Sequence, residues 1–220
     1  MKLVVLDRDG VINVDSVHFI KNTNEWVPIP GSLEAIALLN QSGYRVAIAT
    51  NQSGISRGLF DMVTLNAIHD KMHRALNALG GRVDAIFYCP HSADDHCDCR
   101  KPKPGMMEEI GRRFGVDMKG VPVVGDALRD LQAGAALGMQ PMLVRTGKGE
   151  ETLAAGNLVL QLNGASPLNN LQSISIGATS GGSLLVTTKS FKFAVGSVKL
   201  SSTEKHKLRE LVSGTTKTPL

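Results

Sequence analysis

Short apolar runs that stop abruptly at a small polar or acidic cluster recur along this chain, and they constrain its fold more than any other feature. Lys2-Leu3-Val4-Val5-Leu6 runs into Asp7-Arg8-Asp9-Gly10, Arg45-Val46-Ala47-Ile48-Ala49 into Thr50-Asn51-Gln52-Ser53-Gly54, and Val121-Pro122-Val123-Val124 into Gly125-Asp126. A strand that is apolar at consecutive positions has both faces buried, the condition of a parallel sheet covered by helices. Two more strands are predicted, over 83–88 and 140–144. Between the strands, apolar residues fall at helical spacing. One helix follows Gly31, with Ser32 as its cap and Leu33, Ile36 and Leu39 inward. A second spans 62–79 behind Asp61, with Leu65, Ile68, Met72, Leu76 and Leu79 inward. A third starts at Pro104 and turns Met107, Ile110 and Phe114 inward, and a fourth runs over 128–137. Strand alternating with helix predicts an α/β fold, a three-layer Rossmann-like parallel sheet with helices on both faces. Ligands of such sheets bind beyond the carboxyl ends of the strands, where these polar clusters fall.

Asp7 and Asp9 are two residues apart, so on an extended backbone their carboxylates leave the same side while Arg8 points away. Carboxylates held this close repel unless a cation lies between them, and a hard oxygen-seeking ion such as Mg²⁺ meets that need. A hydroxyl such as that of Thr50, beside backbone N–H groups at a strand end, can grip phosphate oxygens. His69 and His73, four apart on a predicted helix, have no third ligand near them in sequence and read as packed or solvated flank residues.

All three cysteines, Cys89, Cys97 and Cys99, fall within eleven residues. With His91 they form C-x-H-x5-C-x-C, a set of soft and borderline ligands on a loop short enough to close around one Zn²⁺. Four protein ligands leave no open position, so the site is expected to be structural. His96 is the alternative to His91. Arg100 and Lys101 follow the last thiol directly, where a fixed backbone would present them to phosphate.

Leu6-Asp7-Arg8-Asp9-Gly10 resembles the first motif, D-x-D-G, of the haloacid dehalogenase (HAD) superfamily of phosphotransferases. The strand ending in Thr50 resembles the second motif, Lys101-Pro102-Lys103-Pro104 the third, and Gly125-Asp126-Ala127-Leu128-Arg129-Asp130 the fourth, G-D-x-x-x-D. The resemblance covers roughly residues 1–150. It implies a HAD-like fold with a minimal cap and a phosphatase that works through an aspartyl-phosphate, with Asp7 as nucleophile and Asp9 as general acid and base. Thr50 and Lys101 would stabilise the phosphoryl group, with Lys103 the second choice for the lysine. Asp7, Asp9 and Asp126 would hold Mg²⁺, supported by Asp130. Candidate substrate contacts are Arg8, Asp15, Ser16, Val17 and His18 after the first motif, Asn51, Gln52 and Ser53 after the second, and Arg100 beside the zinc loop.

Within the superfamily, the zinc loop together with Asn51-Gln52-Ser53-Gly54-Ile55-Ser56-Arg57-Gly58 resembles sugar bisphosphate phosphatases, so a small phosphorylated sugar is the implied substrate. Histidinol-phosphate phosphatases share a similar loop and are the alternative, as is a catalytically inactive zinc-stabilised scaffold. One departure stands out: Ala127 lacks the polar side chain expected beside the fourth-motif aspartate.

The net charge of +4 is unevenly distributed, since seven of the 24 Lys and Arg but only two of the 20 Asp and Glu lie from Asn157 onward. The body is near neutral, which argues against a nucleic-acid partner. No apolar run approaches a membrane span, and Met1-Lys2 leads into a strand rather than a signal peptide. A monomeric cytoplasmic enzyme is expected. The sequence divides into a phosphatase domain over 1–156 and a basic, Ser/Thr-rich segment over 157–220 where the resemblance ends. Three readings compete for that segment: a small β-rich appendage, a disordered tail, or a non-native C-terminus from a shifted reading frame. Residues 158–162 could supply one more strand.

Overall fold

The computed structural model describes residues 1–155 throughout, together with the backbone of three short strands further on. In chain order the elements are β1 (Lys2–Leu6), α1 (Ser32–Gln41), β2 (Tyr44–Asn51), α2 (Met62–Ala78), β3 (Ala85–Cys89), α3 (Gly105–Phe114), β4 (Pro122–Gly125), α4 (Leu128–Ala135), β5 (Gln140–Val144) and α5 (Gly149–Ala154). The three short strands are β6 (Ser173–Ile174), β7 (Ile176–Ala178) and β8 (Leu184–Val186). The strand expected at 158–162 and the character of the segment from 157 onward lie outside the described residues.

One sheet of order β3-β2-β1-β4-β5-β6, parallel throughout, forms the middle layer, while β7 and β8 make a separate antiparallel pair. The consecutive apolar residues of β1 serve both faces, as a doubly covered strand must. Val4 and Leu6 join Val46 and Ile48 beneath Leu33 and Ile36 of α1 and Ile68, Met72 and Leu76 of α2. Leu3 and Val5 join Ala47 and Ala49 beneath Met106, Met107 and Ile110 of α3 and Ala133 of α4. Ile68, Met72, Leu76 and Ile110 are fully enclosed, each contributing about 1.5–3 kcal/mol of burial.

Asp61 caps α2 by accepting from the Thr64 N–H at 2.8 Å. Ser32 does not cap α1: Gly31 holds that position, and the Ser32 hydroxyl donates to the Ile12 carbonyl at 2.7 Å. That bond ties the long loop after β1 to the helix, and Trp26, 1% exposed, packs the loop onto the body. Leu79 follows the last turn of α2 and stays exposed.

Topology sets the site. β1 lies between β2 and β4, with Leu6 paired to Ile48 on one side and Val124 on the other. Asp7 and Asp126, just past the ends of β1 and β4, and Thr50, the penultimate residue of β2, therefore emerge side by side at the carboxyl edge.

Candidate active site and metal sites

Asp7 leaves β1 where its N–H donates to the Val124 carbonyl of β4 at 2.9 Å. Its carboxylate and those of Asp126 and Asp130 each place an oxygen within 4.8 Å of the others, and all three residues are buried. Burial, aided by Asp130, Asp9 and Asp126 and opposed by Lys101, pushes Asp7 up to about 7. Burial likewise pushes Asp126 up to about 6, against the Lys148 N–H that donates to its Oδ2 at 2.8 Å.

Asp126 Oδ1 is buried without a hydrogen-bond partner among the described residues. Crowded, charge-starved carboxylates with an orphaned oxygen suit a hard divalent cation. Glycines shape this cradle: a Cβ on Gly10 (φ 82°) or on Gly147 (φ 57°) would fall 2.1 or 2.2 Å from Asp126 Oδ2.

The Asp9 side chain is not a member of this cluster, although the expected metal set was Asp7, Asp9 and Asp126. Its carboxylate faces the Arg8 guanidinium at 3.0–3.2 Å, Asn13 Nδ2 at 2.9 Å and Gln52 Nε2 at 2.9 Å. Although burial opposes it, Arg8 and these amides hold Asp9 below the usual carboxylate range.

The side chain of Arg8, a candidate substrate contact, is fully buried and turns inward. Alternation along the strand sends its side chain toward α2, where Nη1 lies 3.3 Å from His69 Nε2. Burial first, then Arg8, pushes His69 down to about 4, so His69 is a neutral acceptor rather than half of a metal pair with His73.

Lys101 is 2% exposed and sits at the centre of the site. Its Nζ donates to the Ala49 carbonyl at 2.7 Å and is ion-paired with Asp130 at 2.7 Å and Asp7 at 3.1 Å. Although burial opposes it, Asp130 and Asp7 raise its pKa, so it stays charged. Lys103 is instead a surface residue, paired with Asp98 and the His96 carbonyl.

The end of β2 is held to the same centre. Asn51 clamps the backbone of Lys101 with two bonds, Nδ2 to its carbonyl at 3.0 Å and Oδ1 from its N–H at 3.1 Å. Gln52 bridges Thr50 Oγ1 and Asp9, both at 2.9 Å. Thr50 thus accepts from Gln52 and keeps its own hydroxyl proton to donate. Ser53 is buried in the turn that follows, its carbonyl accepting from the Arg57 N–H and the Ser56 hydroxyl.

Asp15 lies at the rim, 3.0 Å from Lys148 Nζ, and is followed by Ser16, Val17 and His18, of which Val17 and His18 are exposed. Sequence alone missed the Lys148–Asp15 pair, because it joins residues whose proximity only the topology creates.

Cys89, His91, Cys97 and Cys99 form a second cluster within the same 4.8 Å limit. Their Sγ and Nδ1 atoms are 3.1–3.6 Å apart, near the roughly 3.8 Å edge of a tetrahedron with Zn–S of about 2.3 Å. Burial, then the Cys99 contact, pushes the Cys89 thiol up to about 12, so a thiolate there calls for a cation. His96 stays exposed, outside the cluster. Arg100 is half-buried, its Nη1 donating to the His91 carbonyl at 3.1 Å.

With this geometry in place, comparison with known proteins gives a consistent picture. Residues 98–163 match the HAD-hydrolase-like family model. The chain is 63% identical over 158 residues to the D-glycero-beta-D-manno-heptose-1,7-bisphosphate 7-phosphatase of Bordetella bronchiseptica, covering 72% of this chain and 88% of that protein. Its similarity to the protein of that name from Pseudomonas aeruginosa is 56% identity over 151 residues, 69% and 85% of the two chains. The crystal structure of the D,D-heptose 1,7-bisphosphate phosphatase from B. bronchiseptica, complexed with magnesium and phosphate, aligns with a TM-score of 0.72. That alignment has 57% identity and covers 79% of this chain and 92% of that one. The corresponding enzyme from Burkholderia thailandensis aligns with a TM-score of 0.56 and 61% identity, covering 71% of this chain and 86% of that one.

Proposed function

The chain belongs to the D-glycero-beta-D-manno-heptose-1,7-bisphosphate 7-phosphatase family of HAD-like hydrolases, and on that premise we propose that it removes the 7-phosphate of this heptose bisphosphate. The reaction is a phosphoric monoester hydrolysis, here read as a step in making nucleotide-heptose for lipopolysaccharide core. The observation that carries the reading is the convergence of Asp7, Thr50, Lys101 and Asp126 from four separated stretches onto one strand-end site.

In this reading an Asp7 oxygen attacks phosphorus, the bond to the sugar oxygen breaks, and Asp9 protonates that oxygen as it leaves. Arg8 keeps Asp9 ionised in the resting site. A phosphate dianion arriving beside it raises its proton affinity, so Asp9 becomes an acid on substrate binding. Asp9 then takes a proton from water, which attacks the aspartyl-phosphate and frees phosphate and Asp7.

Thr50 donates its hydroxyl proton to a phosphoryl oxygen, while Lys101 offsets charge on Asp7 from beneath. Asp7 and Asp126 would hold Mg²⁺, which when bound neutralises charge developing on the phosphoryl oxygens. Cys89, His91, Cys97 and Cys99 would hold Zn²⁺, which fixes the loop that carries Arg100 and Lys101. Arg100, Asp15 and Ser16 to His18 are the proposed sugar-side contacts.

A monomeric working unit is part of the same proposal. A cytoplasmic setting belongs to the same proposal; among the described residues, no helix is long and apolar enough to cross a membrane.

The test is a turnover panel of heptose bisphosphate against histidinol phosphate, each with and without Mg²⁺, with Asp7→Asn as control. Heptose bisphosphate should be the better substrate, and Asp7→Asn should abolish turnover. Preference for histidinol phosphate would sink the substrate assignment, and an unaffected Asp7→Asn would point to the scaffold.

A further inference from the structure

A dianionic phosphate entering this site meets several carboxylates, and nearly every neighbouring cation is already engaged. Lys101 donates to the Ala49 carbonyl and is ion-paired with Asp7 and Asp130. Arg8 is sealed against Asp9 and His69, and Lys148 Nζ faces Asp15. Arg129 differs. It lies in the first turn of α4, one residue before Asp130, with its side chain 36% exposed. Its Nε is 3.9 Å from Asp130 Oδ1, beyond hydrogen-bonding reach, and is buried without a partner among the described residues. Although burial, the largest influence, opposes it, Asp130, Asp7, Asp126 and Asp15 together raise its pKa, so the guanidinium stays charged beside this carboxylate cluster.

A buried, unpartnered guanidinium N–H beside a phosphoryl-transfer centre is a donor awaiting an acceptor. Guanidinium geometry matches two phosphate oxygens at once. Ala127, buried on the same turn, offers only a methyl group, so Arg129 is the polar side chain this turn can present. We infer that Arg129 binds the nonbridging oxygens of the phosphoryl group being transferred. This inference rests on the phosphatase reading above and extends its binding set.

The test uses the full-length protein with Mg²⁺, p-nitrophenyl phosphate as substrate and inorganic phosphate as inhibitor. In Arg129→Met the phosphate inhibition constant should rise roughly tenfold or more, and kcat/KM should fall by a similar factor on p-nitrophenyl phosphate and on heptose bisphosphate alike. Arg129→Lys should recover part of both losses. An unchanged phosphate inhibition constant would overturn the inference, as would a loss confined to heptose bisphosphate, which would move Arg129 to the distant phosphate.

A second measurement needs no variant: phosphate should slow modification of Arg129 by phenylglyoxal several-fold in the wild-type protein, read by peptide mass mapping. Absence of protection would equally overturn it. Because inorganic phosphate and p-nitrophenyl phosphate report on Arg129 directly, wild-type failure on heptose bisphosphate would sink the sugar assignment alone.

Discussion

Gly147→Ala isolates how the carboxylate cradle is kept in shape. Gly147 lies 21 residues beyond Asp126 in the loop after β5, at φ 57°, and a Cβ there would stand 2.2 Å from Asp126 Oδ2 and 2.6 Å from the Gly10 Cα. To regain an ordinary contact, Asp126 must retreat by about 1 Å, since carbon and its neighbours repel steeply below van der Waals separation. That retreat carries the carboxylate away from Asp7 and strains its bond to the Lys148 N–H. A displacement of this size costs roughly 100-fold in a well-positioned site, and a disturbed metal support typically costs roughly tenfold or more in metal affinity.

The left-handed conformation adds about 1–2 kcal/mol for a residue with a Cβ, and overpacking adds about 1–3 kcal/mol. Together they lower the melting temperature by roughly 5–15 °C. Gly115→Ala is the matched control: at φ 63° it shares the backbone strain but has no atom within 4 Å of the added methyl. It should lose about 1 kcal/mol of stability and keep full activity. The assay is kcat/KM as a function of Mg²⁺ concentration, beside thermal melts. A folded Gly147→Ala protein with wild-type turnover and wild-type Mg²⁺ demand would refute the cradle.

Two other outcomes are expected. Asp7 at about 7 and Asp126 at about 6 stand above the ordinary carboxylate value of 3.8. Their contribution to stability is therefore complete below that value and is lost as pH rises through the folded values. Without divalent ion the melting temperature should fall from these groups between about pH 4 and 7. The gain on adding Mg²⁺ should widen over the same range, and a gain independent of pH would refute the charge-crowding argument. At the other metal site, Cys97→Ser or stripping by a zinc chelator should release zinc, open 92–98 to proteolysis and lower kcat/KM at least about tenfold even at saturating Mg²⁺, because the brace on Lys101 is lost. Full activity in zinc-free protein would show that the Asn51 clamp suffices alone.

The strand ends were legible because a doubly buried strand must be apolar at successive positions, so β1, β2, β4 and β5 announce both themselves and the point where each meets polar residues. The cysteine cluster was legible for a local reason: its four ligands span eleven residues. What sequence could not show is pairing across the topology. Nothing in Arg8-Asp9 reveals that one alternation of the backbone sends the arginine to His69, 61 positions on. Nothing in Thr146-Gly147-Lys148 reveals that β5, lying beside β4, lays this loop across Asp126. The surroundings of the Asp9 carboxylate were hidden for the same reason, since the amides that hold it come from Asn13 and from the far end of β2.

Those surroundings bear on how the site divides its labour. Asp7 and Asp9 are chemically alike and two residues apart, yet their surroundings push their proton affinities in opposite directions. Asp7 shares a dry enclosure with Asp126 and Asp130, so its free form is costly and a cation is required before it can act as a nucleophile. Asp9 is ionised without a metal, because Arg8 and two amides have already neutralised it. A carboxylate that must lose and regain a proton in successive steps cannot also be locked to a divalent ion that holds it permanently deprotonated. On the proposed mechanism this separation leaves Asp7 to the metal and Asp9 free to exchange its proton, its carboxylate held apart by Arg8, Asn13 and Gln52.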